Sequence, residues 1–155
     1  MATLPAPVAQ FLGGRRLVVA GVSRDSKQTA NGVYRKLLAS GYQVVPLNPN
    51  AAQVEGVRCY PDLHSIPEPV DGLMVVAHPR VGLELVRQCA ERGVKQVWFH
   101  RSFGQGSVSD EAVQEARARG ISCIVGGCPL MYCEPVDAGH RCFRWLLGLR
   151  GRVPR

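Results

Sequence analysis

The chain has 155 residues, 46% of them hydrophobic, and this length predicts one domain that buries its own core without disulfide bonds. No apolar run approaches the length of a membrane span, and the N-terminus lacks the basic and apolar segments of an export signal. We therefore expect a cytoplasmic protein whose six cysteines stay reduced. The net charge of +7 is concentrated at the C-terminal end, where residues 139–155 contain five arginines and no acidic residue.

The first structural unit follows a lead-in, residues 1–14, whose small apolar patch is expected to dock as a turn of helix. Residues 17–20 are an apolar run that predicts a buried strand, and residues 21–27 are typical of a loop. The apolar residues after this loop recur at helical spacing. The sequence therefore predicts a strand, a loop and a helix in succession.

A helix start in this position presents unpaired backbone N–H groups and the positive end of its dipole, so the loop can receive an anion. Ser23 adds a hydroxyl donor, Lys27 adds a positive charge, and Gly21 lets a ligand approach the backbone closely. The alternative is structural: the loop only turns the chain, with Ser26 or Thr29 as the helix N-cap.

The rest of the chain alternates between strands and helices. Further strands are predicted at residues 42–47, 70–77, 96–99 and 121–125, and further helices at residues 81–92 and, after Ser109 as the N-cap, 110–119. Between the second and third strands, residues 51–69 predict a connecting arm with a short extended piece and, at residues 62–66, a short helical turn. This order predicts an α/β fold: a doubly wound, mostly parallel five-stranded sheet with helices on both faces.

Ligands of such sheets bind beyond the carboxyl ends of the strands. Each predicted strand ends in an unusual group, so five groups are expected along one edge of the sheet. They are Gly21-Val-Ser23, Asn48-Pro49, His78-Pro79, His100-Arg-Ser102 and Gly126-Gly-Cys128-Pro129.

A nicotinamide dinucleotide site is disfavoured by two features. The loop after the first strand lacks the second glycine of a Gly-x-Gly-x-x-Gly pattern, and Asn48-Pro49-Asn50 lacks the carboxylate that holds the ribose hydroxyls. The phosphate-loop pattern of nucleoside triphosphatases is also absent.

The strand-end groups resemble those of the coenzyme A-binding domain family in its stand-alone bacterial form, which is similar to the nucleotide-binding end of the succinyl-CoA synthetase α subunit. The resemblance covers residues 15–132, between the lead-in and a basic amphipathic helix and tail at residues 133–155. It implies a Rossmann-like fold that binds coenzyme A or an acyl-CoA, and our first hypothesis is a binding module that catalyses no reaction of its own.

The resemblance also implies a role for each group of residues. The pyrophosphate would be held by the first loop and helix start, the adenosine by the next two strand ends, and the pantetheine side by the last. The implied residues are Gly21, Val22, Ser23, Arg24, Lys27 and Asn31 for the phosphates, Asn48, Pro49, Val76, Ala77, His78 and Pro79 for the adenosine, and Cys128 and Pro129 for the pantetheine.

The chain departs from the synthetase pattern after Asn48-Pro49. The synthetase places a lysine there for the 3′-phosphate, whereas residues 50–52 carry no charge. Arg24 or Arg80 is the expected substitute. The phosphorylated histidine of the synthetase belongs to a domain that these 155 residues do not contain, so the resemblance does not extend to ligase activity.

Two alternative hypotheses assign a catalytic or a metal-binding site to the chain. A nucleotide-dependent oxidoreductase or an acyl-CoA-processing enzyme would use His78 as a base or Cys128 as a nucleophile, and His100 also ends a strand. A zinc site among Cys128, Cys133, His140 and Cys142 is disfavoured because their spacing is irregular.

The arginine-rich tail allows binding to nucleic acid. However, Phe143, Trp145, Leu146 and Leu149 fall at helical spacing, and this pattern favours a terminal helix that packs on the body, on a second subunit or on a partner protein. In that arrangement the arginines form the solvated face, and neither nucleic acid nor a membrane is the expected partner.

Overall fold

The computed structural model describes residues 3–154. Five helices and seven strands follow one another along this part of the chain. The helices are α1 (Ala6–Leu12), α2 (Thr29–Ala39), α3 (Gly82–Arg92), α4 (Asp110–Ala118) and α5 (Ala138–Leu149). The strands are β1 (Arg16–Ala20), β2 (Gln43–Leu47), β3 (Gln53–Val54), β4 (Val57–Arg58), β5 (Gly72–Val75), β6 (Gln96–Phe99) and β7 (Ser122–Val125).

Five of the strands form one parallel sheet in the order β2-β1-β5-β6-β7. Val18 in β1 lies opposite Val45 in β2 and opposite Leu73 in β5. The chain leaves β1 toward β2 on one side and later returns to β5 on the other side, so the strand order reverses at β1. The prediction of a doubly wound parallel sheet is confirmed, and the carboxyl end of β1 is its switch point.

Each face of the sheet is covered by helices. Leu17 and Val19 belong to the core under α1 and α2, while Val18 and Ala20 belong to the core under α3 and α4. Successive side chains of a strand point to opposite faces, and all four of these residues are buried because both faces are covered. The continuous apolar runs in the sequence have this physical origin.

The connecting arm differs from its sequence-based description. β3 and β4 form a short antiparallel hairpin that turns at Glu55 and Gly56, both of which have positive φ. Residues 62–66 form bends and one hydrogen-bonded turn, from the Ile66 N–H to the Leu63 carbonyl oxygen, and no helix, and the Asp62 carboxylate accepts hydrogen bonds from the backbone N–H and the hydroxyl of Ser65. The prediction of a helical turn is wrong at this point.

Helix α5 docks through a different face from the one that the sequence pattern indicates. Leu147 is 1% exposed and lies in the core, whereas Phe143, Trp145 and Leu149 are 41%, 67% and 68% exposed. Of the arrangements expected for this helix, packing of these three residues on the body is therefore contradicted, while packing on a second subunit or a partner protein stays a prediction. Three residues of the predicted terminal regions lie outside the described residues. They are Met1 and Ala2 of the lead-in and Arg155 of the tail.

Candidate functional site

The site begins where β1 ends at Gly21. This residue has φ of +103°, and a Cβ atom there would collide with the carbonyl oxygen of Val76, which follows β5. Only glycine allows the exits of β1 and β5 to approach this closely. The requirement for glycine therefore comes first from contact between two strand exits, and not from contact with a ligand.

Asn31 fastens the loop that follows. Its side chain is 1% exposed, and its Oδ1 atom accepts a hydrogen bond of 2.9 Å from the backbone N–H of Ser23. Its Nδ2 atom donates to the carbonyl oxygen of Ser23 at 2.8 Å and to the Glu55 carboxylate at 2.7 Å. Both amide hydrogens are used within the protein, and these bonds position the loop; a contact between Asn31 and a phosphate stays a prediction.

The loop itself carries charges of both signs. Arg24 and Lys27 are exposed, and neither has an ion-pair partner among residues 3–154. The Asp25 carboxylate between them accepts hydrogen bonds from the Gln28 side chain and the Lys27 backbone N–H. These bonds hold the pKa of Asp25 below its ordinary value, so a negative charge stands beside the two cations.

Helix α2 begins without a side-chain cap. Its N-cap residue is Gln28, which makes no capping hydrogen bond through its side chain. The alternative in which Ser26 or Thr29 caps the helix is therefore wrong. The uncapped start leaves its N–H groups and dipole facing the loop that contains Ser23 and Lys27.

A cavity of about 630 Å³ opens at the switch point of the sheet. It brings together five of the predicted residues from three strand exits, namely Gly21, Asn48, Pro49, Ala77 and His78. Further lining comes from Asn50, from Pro61 in the connecting arm and from the start of α3. The α3 residues carry no local motif that predicts them in a site, although they closely follow the His78-Pro79 pair.

Asn48 joins two of these strand exits. Its Nδ2 atom donates to the carbonyl oxygen of Val22 at 2.9 Å, and its Oδ1 atom accepts from the backbone N–H of Asn50 at 2.9 Å. Val22 itself is fully buried, so its side chain belongs to the core and only its backbone reaches the site. Asn48 therefore links the segments that follow β1 and β2, and Asn48 and Pro49 also line the cavity.

His78 ends the segment after β5 and starts a short 3₁₀ helix at Pro79. Its Nδ1 atom accepts a hydrogen bond of 3.2 Å from the backbone N–H of Arg80. An accepting Nδ1 requires the ring proton to lie on Nε2 in the neutral form. His78 is exposed, Ala77 and Pro79 are half-buried, and Val76 packs against the core with its carbonyl toward Gly21.

The cavity has one cation and one carboxylate on its wall among the described residues, Arg80 and Glu84. Gln88 donates to Glu84 at 3.1 Å and accepts from the Leu63 backbone N–H at 3.0 Å, so Glu84 is held near the α3 side. The Arg80 guanidinium makes no ion pair or hydrogen bond with residues 3–154. It is therefore available to a ligand.

Cys128 and Pro129 do not line this cavity. Cys128 is 4% exposed and packs in the core with Met131 and Tyr132, and Pro129 is also buried. Burial raises the pKa of the Cys128 thiol to about 12. The thiol is therefore protonated at neutral pH, which argues against Cys128 as a nucleophile.

His100 is also buried, and burial lowers its pKa to about 4. Its Nε2 atom lies 3.4 Å from the Ser102 hydroxyl oxygen, and its backbone N–H donates to the carbonyl oxygen of Val75. Within residues 3–154 no three His, Cys, Asp or Glu side chains are grouped as metal ligands would be. In the same part of the chain, every helix is too short or too polar to cross a membrane.

Comparison with known proteins finds relatives of most of the chain. A family model described as a CoA binding domain matches residues 15–134. The α subunit of ADP-forming acetate–CoA ligase II from Pyrococcus furiosus is 30% identical over 108 residues, which are 69% of this chain and 23% of the subunit. The uncharacterized protein YneT of Bacillus subtilis is 25% identical over 114 residues, covering 74% of this chain and 82% of YneT.

A solved structure of a hypothetical protein from Pyrococcus horikoshii has the same architecture. It superposes with a TM-score of 0.73 at 27% identity, covering 83% of this chain and 92% of that protein. The chain spans 23% or less of the length of the acetate–CoA ligase relatives that it matches. Most of each ligase therefore has no counterpart in these 155 residues.

Proposed function

The chain belongs to the family of CoA-binding domains, and from this premise we propose that it binds coenzyme A or an acyl-CoA and holds it without a reaction of its own. The observation that carries the proposal is the switch-point cavity, which Gly21, Asn48-Pro49 and Ala77-His78 enclose at the expected edge of the sheet. The cavity is of the size and largely apolar character that suit an adenosine group.

The pyrophosphate would lie beside the cavity, at the loop between Gly21 and the start of α2. The uncapped helix start supplies N–H donors there, Ser23 supplies a hydroxyl, and Arg24 and Lys27 supply positive charge. Asn31 contributes by holding the Ser23 backbone in place. Asp25 partly offsets the positive charge, which tunes the affinity for an anion.

We assign recognition of the 3′-phosphate to Arg80 in preference to Arg24. Arg80 lines the cavity with its guanidinium unpaired, whereas Arg24 lies in the loop and does not line the cavity. A guanidinium can bind a phosphate through two parallel hydrogen bonds. Arg80 would thus replace the charge that residues 50–52 lack.

The pantetheine arm would extend from the pyrophosphate toward the ends of β6 and β7. Cys128 and Pro129 would support this side through packing and backbone, because both are buried. The ligase activity named for the relatives belongs to proteins more than four times as long as the matched region, and we do not extend it to this chain. Neither a buried, protonated Cys128 nor the exposed His78 has a catalytic partner among residues 3–154.

Isothermal titration of the purified chain tests the proposal. Coenzyme A and acetyl-CoA are expected to bind more tightly than NAD or NADP, because the site lacks the features of a nicotinamide dinucleotide site. Absence of binding heat with both CoA species at high protein concentration would refute the function.

The Arg80 assignment has its own test. Arg80→Gln should weaken coenzyme A binding about tenfold, equivalent to about 1.4 kcal/mol, and leave 3′-dephospho-CoA binding unchanged. Arg24→Gln serves as the matched control and should weaken both ligands equally through the shared pyrophosphate. Equal losses for both ligands in Arg80→Gln would contradict the assignment while leaving the general function intact.

A further inference from the structure

Helix α5 presents an apolar stripe to solvent. Ala138, Cys142, Trp145 and Leu149 follow one another at spacings of four, three and four residues, which places them on one face of the helix. Trp145 and Leu149 are 67% and 68% exposed, and Cys142 is exposed as well. The opposite face carries Leu147 into the core, so the stripe faces away from the body.

The side chains of the stripe are small at the start of the helix and large at its end. Its first two members, Ala138 and Cys142, are small, and its last two, Trp145 and Leu149, are large. A second helix of the same sequence running antiparallel would place large residues against small ones. A parallel copy would instead place Trp145 against the partner's Trp145.

The two ends of α5 carry charges of opposite sign. Glu134 and Asp137 precede the helix, whereas Arg150 and Arg152 follow it, and no acidic residue occurs after Asp137. Asp137 caps the helix through His140, yet its side chain remains 65% exposed. Arg150 has no ion-pair partner among residues 3–154.

We propose that two copies of this chain pair through α5, antiparallel around a two-fold axis that passes between residues 143 and 144. This single axis sets Asp137 opposite the partner's Arg150, Ala138 opposite the partner's Leu149, and Cys142 opposite the partner's Trp145. Size and charge are thus complementary in one register. Such a self-complementary patch is what a two-fold interface requires, and antiparallel helix dipoles also attract.

An exposed aromatic pair lies on the flank of the helix. Phe103, in the loop after β6, is 61% exposed and meets Phe143 edge to face with ring centroids 5.6 Å apart. The helix pair is about 18 Å long, and Phe143 lies on the flank of the helix between the stripe and the docked face, so the stripe itself carries the proposed contact. The arrangement does not depend on the proposed ligand.

The mass of the full chain, measured by light scattering across a concentration series, tests the pairing. We expect a reversible dimer of 16.9 kDa subunits that weakens as salt is raised, because the end contacts attract opposite charges. Trp145→Ala combined with Leu149→Ala should raise the dissociation constant of the dimer at least about a hundredfold, because each subunit loses one aromatic and one aliphatic side chain from the interface. Both residues are exposed, so the variant is expected to keep its fold, which circular dichroism checks.

Charge reversal tests the antiparallel register. Arg150→Glu would face the partner's Asp137 and should weaken the dimer about tenfold, whereas Lys95→Glu, an exposed reversal far from α5, should not. Of the six cysteines Cys142 is exposed, Cys123 is half-buried and four are buried, so a short bismaleimide should link two chains and fail to link Cys142→Ser.

Several results would overturn the proposal. A chain that stays monomeric at every concentration refutes the pairing, as does a dimer that survives the Trp145 and Leu149 substitutions. A dimer that is strengthened by salt, or is unaffected by Arg150→Glu, refutes the register. Binding of the monomer to vesicles of phosphatidylglycerol, with no self-association, would show that the stripe serves a lipid surface instead.

Discussion

Replacing Asn31 by alanine should destabilise the fold and loosen the phosphate loop together. The substitution removes two hydrogen bonds to the Ser23 backbone and one to the Glu55 carboxylate. Neutral bonds contribute about 1 kcal/mol each and a bond to a charged group about 1.5–3 kcal/mol, and water can replace part of the loss because Ser23 is only half-buried. We expect a loss of about 3 kcal/mol in the free energy of unfolding, which lowers Tm by roughly 6–12 °C for a chain of this size.

Urea unfolding and calorimetry measure this loss, and titration with coenzyme A measures the effect on the site. The binding heat should shrink at temperatures where the variant is still folded, since Ser23 is no longer held beside the start of α2. Asn50→Ala, an exposed asparagine whose side chain makes no hydrogen bond within residues 3–154, is the matched control and should change stability by less than about 0.5 kcal/mol. A loss below about 1 kcal/mol in Asn31→Ala, or one equal to that of Asn50→Ala, would refute the positioning role.

Three further outcomes follow from the site and the core. Lys27→Ala should weaken coenzyme A binding and reduce its salt dependence, while Asp25→Asn should strengthen binding; changes of the same sign in titration experiments would contradict the charge argument. Gly21→Ala should cost about 3 kcal/mol or more in urea unfolding, because the residue has positive φ and its Cβ would collide with Val76; a near-neutral effect would show that the strand exits separate freely. His100 has its pKa lowered by burial to about 4 from 6.5, so the unfolded chain binds more protons between these values, and stability should fall by up to about 1.4 kcal/mol per pH unit as pH drops from 6.5 to 4. A stability profile in His100→Gln with the same slope would assign that slope to other groups.

The family match and the switch-point cavity concern the same part of the chain, but they draw on different properties of it. The family match covers residues 15–134 and reflects the succession of strands and strand ends. The cavity arises only because β1, β2 and β5 are neighbours in the sheet and because α3 starts beside them. Residues such as Glu84 and Gln88 enter the site through this packing and carry no distinctive local motif.

The order of strands and helices, and the groups at the strand ends, could be predicted from the sequence because both depend on local properties. Apolar runs mark strands that are buried on both faces, and glycine, proline and asparagine mark the turns that end them. Parallel strands then place their carboxyl ends at one edge, so five groups distant in sequence were expected together. Gly21, Asn48 and His78 meet at the cavity for this reason.

Tertiary structure alone decided what the individual side chains do there. Asn31 supports the loop because Glu55, 24 residues away, accepts a hydrogen bond from its second amide hydrogen. Helix α5 has apolar residues on two faces, and periodicity cannot indicate which face docks; the body accepted Leu147 and left Trp145 and Leu149 exposed. Long-range contacts of this kind depend on which surfaces fit together after the elements have formed, and no local pattern in a single sequence records that fit.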